Sequence, residues 1–344
     1  MTLTRFAAAT TALALCIPAL AQEQVLNLYS ARHYQTDEAL YANFTKATGI
    51  RINRVDADDA GILNRLKTEG AASPADVILL VDAARLSLAE KEGLFLPIKS
   101  AELDRRVPAQ YRAAATPEGT AWYGFSTRAR VIVFNKASVK RADVDTYEDL
   151  ADPKNKGKVC TRSGSHPYNL SLFGALNVHL GAAATEAWLK GVVANMARAP
   201  KGGDTDQIKA VASGECQVAL SNSYYLARLM LSSKPEDQAV VERIGIVMPN
   251  QSSTGTHMNI AGGAVARHSK NLPAAQRFLE YLASDSAQAY FANGNNEWPV
   301  LASVKLQNKA LDSLGNFKRE TIPVSAVASN IAKVQQMLDR AEYK

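Results

Sequence analysis

Four tyrosines follow stretches that read as strands: Tyr34 after Val25-Leu26-Asn27-Leu28-Tyr29-Ser30, Tyr168 in the loop Ser163-Gly164-Ser165-His166-Pro167-Tyr168, and Tyr224 with Tyr225 after Cys216 to Leu220. In an open α/β sheet, ligands bind beyond the carboxyl ends of the strands, so these loops point toward one cleft. A phenol ionises near pH ~10, and several become anionic together only when a strong, hard Lewis acid replaces their protons. Ferric iron meets that requirement. Zinc and copper favour His and Cys, and calcium and magnesium favour carboxylates and carbonyls, whereas these loops offer mainly phenol with one or two imidazoles.

Asn222 or Ser223 is a good N-cap, which places Tyr224 and Tyr225 in a first helical turn, where neighbours about 100° apart converge on one ion. Arg228 follows at four and three residues from them and so shares their helix face. Four phenolates around a trivalent ion leave about one excess negative charge, which a guanidinium behind the coordination sphere can hold. Arg228 is the first candidate for that role and Arg128 the second. His33, beside Tyr34, has three readings: a ligand, a hydrogen-bond partner of the site, or a turn cap. Any of the four tyrosines alone reads as core packing; their joint placement after three strands reverses that reading. His166 reads as a solvated loop residue, Arg85, Arg130 and Arg162 as surface or interlobe charges, and Glu297 as part of a hinge.

The elements that must position these residues alternate. After the first strand, Thr36 reads as the N-cap of a helix carrying Leu40, Phe44 and Ala47 on one face, with Gly49 past its end. A strand at Ile50 to Val55, a helix at Gly61 to Glu69, a strand at Ala75 to Val81 and a helix at Ala83 to Glu92 follow, so the sheet is expected to be largely parallel. A second alternating block begins near Val131. Between the two lies WYGFSTRARVIVFN, residues 122–135, long enough to run from one unit into the other, and Ala261 to Val265 and Trp298-Pro299-Val300 read as further crossings.

The 344 residues are 47% hydrophobic and 21% charged, an ordinary globular composition that excludes disorder. Lys and Arg (39) exceed Asp and Glu (33), but the basic residues are scattered and form no nucleic-acid arm. Residues 1–21 read as a signal peptide: Arg5, an apolar stretch from Phe6 to Leu20, and Ala19-Leu20-Ala21 as the cleavage site. The mature chain is then expected to start at Gln22, outside the cytoplasm. There Cys160 and Cys216 would be the remaining thiols and are expected to form a disulfide closing a long loop.

The segments YSARHY, SPADV leading to Val81-Asp82-Ala83-Ala84-Arg85, FSTRARVIVFN, CTRSGSHPYNLSL and SNSYYLARL resemble those of the bacterial periplasmic iron-binding proteins that feed ABC importers. The resemblance covers essentially the whole mature chain and is to the multi-tyrosine subgroup. It implies the α/β, two-lobe periplasmic-binding-protein fold, each lobe a mainly parallel sheet flanked by helices, hinged by crossing strands. The expected lobes are 22–128 with 262–298, and 129–261 with 299–344. It implies Tyr34, Tyr168, Tyr224 and Tyr225 as phenolate ligands of transported Fe(III), His33 as an imidazole that some members provide, and water or carbonate in the shell. Arg128 and Arg228 resemble the family's anion-facing arginines. Asp82 stands where another subgroup has a ligating Glu and is one methylene shorter, which places it behind the ligands. The implied partner is an inner-membrane ABC permease, with no nucleic acid, no membrane insertion and a monomeric state. The competing readings are a phosphate- or phosphonate-type anion receptor and a secreted iron enzyme. Neither a G-x-S-x-G elbow nor an H-E-x-x-H motif supports catalysis.

Overall fold

The computed structural model describes residues 24–32 and 34–344. The expected signal peptide and His33 lie outside the described residues. In chain order the first half comprises β1 Val25–Ser30, α1 Asp37–Thr48, β2 Arg51–Asp56, α2 Asp59–Glu69, β3 Val77–Leu80, α3 Ala83–Lys91, β4 Phe95–Leu96, α4 Ala101–Arg106 and β5 Tyr123–Asn135. It continues with β6 Val159–Cys160, α5 Pro167–Leu180, α6 Ala182–Ala194, α7 Asp204–Ser213, β7 Val218–Asn222, α8 Ser223–Leu231, α9 Pro235–Arg243, β8 Ile244–Val247 and β9 Met258–Ala266. The last elements are α10 Leu272–Leu282, α11 Asp285–Asn295, β10 Trp298–Pro299, α12 Lys309–Ser313, α13 Val324–Ser329 and α14 Ile331–Arg340.

Strand β5 explains how one chain serves two cores. Its 13 residues are buried until the last, and at about 3.3 Å per residue they span roughly 40 Å. Residues 123–129 pair with β9, and Ser126 and Thr127 with β10. Residues 130–135 pair instead with β7 and β8. The sheet runs β2-β1-β3-β9-β5-β7-β6. The outer pairs β1 with β2, β1 with β3, and β6 with β7 are parallel, as strand–helix alternation predicts; the crossing strands enter antiparallel, which makes the sheet mixed.

One apolar cluster gathers β1, β3, α1, α10 and the start of β5 around Phe44, Trp122 and Phe278. Two others cover opposite faces of the β6–β7 half, one around Phe173 and Trp188, the other around Ile208, Leu226 and the Cys160–Cys216 pair. The crossing strand β9 must lie close to its neighbours: a Cβ at Gly262 would meet the Tyr123 carbonyl oxygen at 2.6 Å, and one at Gly263 the Leu79 Cδ2 at 2.6 Å. Thr36 occupies the N-cap position of α1 without capping it: its backbone is already helical, not extended as a cap requires, and its hydroxyl donates to Asn295 Oδ1. Among the described residues no helix is long and apolar enough to cross a membrane.

Cys160 and Cys216 form the expected disulfide, with Cα atoms 5.9 Å apart and a sequence separation of 56. Closing so long a loop restricts the unfolded chain. Replacing both cysteines by serine is expected to lower unfolding stability by about 2–4 kcal/mol, measured as a shift in denaturant midpoint; an unchanged midpoint would show that the bond contributes nothing.

Candidate metal centre

The loop after β1 delivers Tyr34, the first turn of α5 delivers Tyr168, and the first turn of α8 delivers Tyr224 and Tyr225. The first three are buried, with Tyr34 at 6%, Tyr168 at 4% and Tyr224 at 0% exposure. The Tyr168 and Tyr224 hydroxyls are 3.1 Å apart. The Tyr34 ring meets Tyr224 edge-on at 5.6 Å, and the Tyr224 and Tyr225 rings lie 4.2 Å apart. Four phenols from three loops thus form one group, as the strand-end placement predicts. Beside them a cavity of about 430 Å³ opens between Tyr34, Thr36 and Arg228. Among the described residues no cluster of three or more His, Cys, Asp or Glu side chains could hold a metal.

Burial, followed by the Glu297 carboxylate, pushes the Tyr34 phenol well above its usual value. Burial and neighbouring phenols do the same for Tyr168 and Tyr224. All three are therefore neutral at physiological pH until something replaces their protons.

The cation that faces them is Arg128, 1% exposed, its guanidinium carbon 5.5 Å from the Tyr168 ring centre. Among the described residues its nitrogens make no hydrogen bond, and Glu297 Oε1 lies 3.5 Å from Nη1. Burial alone would weaken its hold on the proton, but Glu297 and the phenols outweigh that effect and raise its pKa. Arg228 is exposed, with its guanidinium 5.7–5.9 Å from the Tyr34, Tyr224 and Tyr225 rings, the shared helix face that the spacing predicts.

Asp82 is the N-cap of α3. Its Oδ1 accepts from the Ala84 N–H at 2.7 Å and the Ser171 hydroxyl at 2.6 Å, and its Oδ2 from Asn259 Nδ2 at 2.6 Å. Burial raises its pKa, opposed by Arg128 and these three donors. Ser171 lies on α5, so Asp82 ties the first core to the helix that carries Tyr168.

Two residues that the sequence did not place in the site touch it, Glu297, which reads there as part of a hinge, and Arg32. Glu297, completely buried, accepts from the Tyr34 hydroxyl at 3.0 Å, from Ser126 Oγ at 2.9 Å and from Arg32 Nη2 at 3.3 Å. Arg32 also donates through Nε to Asp37 Oδ2 at 2.6 Å, and its guanidinium sits 4.7 Å from the Tyr34 ring centre. Their signal in the sequence was only a lone carboxylate before Trp298 and a lone cation before His33, 265 residues apart. His166 is a helix cap and not a solvated loop residue: its Nδ1 accepts the Tyr168 N–H at 3.2 Å and its ring packs 4.5 Å from Tyr168. Burial and Arg162 push its imidazole down to about 3, which keeps Nδ1 free to accept. Arg130 is buried, and both it and Arg162 pair with Asp204.

Residues 39–318 match the sequence model of the bacterial extracellular solute-binding proteins. The chain belongs to this family. It is 46% identical over 323 residues to iron uptake protein A1 of Synechocystis, covering 94% of this chain and 88% of that one. The structure of FutA (IdiA) from Trichodesmium, in complex with iron and citrate ligands, aligns with a TM-score of 0.87 at 48% identity, covering 93% of this chain and 100% of that one. The ferric binding protein of Campylobacter jejuni aligns with a TM-score of 0.87 at 36% identity over the same shares. The chain shares the two-lobe α/β architecture of these solute-binding proteins.

Removing Glu297 would leave two buried guanidinium groups short of a carboxylate. Glu297→Ala is expected to destabilise the metal-free protein by about 3–5 kcal/mol, read from chemical denaturation; a wild-type midpoint would mean that the pairing is energetically idle.

Proposed function

We propose that this solute-binding protein is the periplasmic component of an iron ABC importer, which captures Fe(III) in the cleft between its lobes and delivers it to a membrane permease. Its role is binding and not catalysis. The observation that carries the reading is the convergence of Tyr34, Tyr168, Tyr224 and Tyr225 beside a buried guanidinium that makes no hydrogen bond among the described residues. Ferric iron displaces the phenol protons, and the resulting phenolates surround the ion while Arg128 and Arg228 hold the excess negative charge. Water or carbonate completes the shell. The names of the Synechocystis and Campylobacter relatives support the same cargo. An anion receptor would use the arginines but has no need of four adjoining phenols.

Adding ferric salt with a weak chelator to the iron-free protein is expected to produce a visible phenolate-to-iron charge-transfer band. Tyr224→Phe should shift or weaken the band and lower the affinity at least about tenfold, the loss typical of even an outer partner. No band in the wild-type protein would overturn the reading.

Because the buried phenols start protonated, iron binding releases protons. The apparent affinity is therefore expected to fall as the pH is lowered from about 8 to about 5, measured by chelator competition. Equal affinity across that range would contradict phenolate ligation.

A further inference from the structure

Nothing in the chain connects Tyr168 to Tyr224 locally. They are 56 residues apart, on the first turns of separate helices, yet their hydroxyls lie 3.1 Å from each other. Some cross-link must hold the two helix starts in register, and a metal site whose ligands stand even slightly apart binds less tightly.

Arg130 occupies the position between them. It lies on β5 two residues beyond Arg128, hence on the same face of the strand. Its guanidinium is buried, and it donates through Nη1 to Asp204 Oδ2 at 2.5 Å and Asn222 Oδ1 at 3.1 Å, and through Nη2 to Asn169 Oδ1 at 2.8 Å. Asn169 directly follows Tyr168, and Asn222 precedes Tyr224 by two residues.

Each arm is reinforced by a second contact. Asn169 Nδ2 donates to the carbonyls of Arg162 at 3.1 Å and Ser163 at 3.0 Å, fixing the loop that leads into Tyr168. Asp204 Oδ2 also accepts the Asn222 N–H at 2.7 Å, and its Oδ1 accepts from Arg162, whose guanidinium lies 4.9 Å from the Tyr168 ring centre. The planar fork of an arginine can meet all three acceptors at once, whereas a lysine ammonium would keep the charge beside Asp204 without that fork.

We infer that Arg130 is a positioning residue of the iron site: together with Asp204 it clamps Asn169 and Asn222, and through them sets the spacing of the Tyr168 and Tyr224 oxygens. This rests on the phenolate reading above and adds to it a residue that touches neither metal nor phenol.

The test compares ferric binding by wild type, Arg130→Lys and Asn169→Ala, recording the charge-transfer band, the affinity by chelator competition, and the unfolding midpoint of the iron-free protein. Asn169→Ala leaves the Arg130–Asp204 pair whole, so it decides the matter if Arg130→Lys does not fold. Both folded variants are expected to bind iron about 10- to 100-fold more weakly and to show a displaced band, with Asn169→Ala still folding cooperatively at a lowered midpoint. A wild-type band and affinity in the folded variants would overturn the clamp while leaving the phenolate site standing. Absence of a band in wild type itself would overturn the phenolate site and the clamp with it.

Discussion

A buried guanidinium that makes no hydrogen bond among the described residues is the constraint around which the cleft is arranged. Taking a cation out of water costs several kcal/mol even after the protein relaxes, and what Arg128 has to set against that is Glu297 at 3.5 Å together with the phenols. The groups that face it are phenols, which attract a cation weakly through their rings when neutral and strongly through their oxygens when ionised. Arg32, Arg162 and Arg228 lie against the same rings, while Glu297 is a carboxylate that accepts from the Tyr34 hydroxyl. The cleft is therefore complementary to a negatively charged assembly that does not exist until the phenols lose their protons.

That complementarity depends on parts of the chain remote from one another. β5 carries Arg128 toward the tyrosines and Arg130 toward the side chains that hold them, then continues into the second core. The residue before β10 supplies Glu297, and because β10 pairs with β5 beside Ser126, the carboxylate is fixed to the same strand as the cation it opposes. The disulfide ties the end of β6, which leads toward α5, to the segment that enters β7, which leads into α8.

The tyrosine group was legible in the sequence because strand-end loops point to one edge of a sheet, and Arg228 because helical spacing places it over Tyr224 and Tyr225. The strand–helix alternation and the length of β5 were legible for the same reason: both follow from local periodicity. Glu297, Arg32 and Arg130 were not, since their roles rest on partners scores or hundreds of residues away that no local pattern connects. Thr36 shows the same limit on a smaller scale, a side chain suited to a cap on a backbone that is already helical, with its hydroxyl turned to Asn295 on another helix. The antiparallel entry of the crossing strands likewise depends on where the chain returns, which periodicity does not encode.

The bond from Ser171 to Asp82 joins the cores without touching a phenol. How long cargo stays and how tightly it is held are thus governed in part by different groups. In the proposed role the phenols and arginines would set the depth of the well, whereas the bonds at Asp82 would add to the work of parting the cores. A carrier built this way can lose its cargo slowly without gripping it harder, so that a membrane partner able to separate the cores hastens release without competing for the ion.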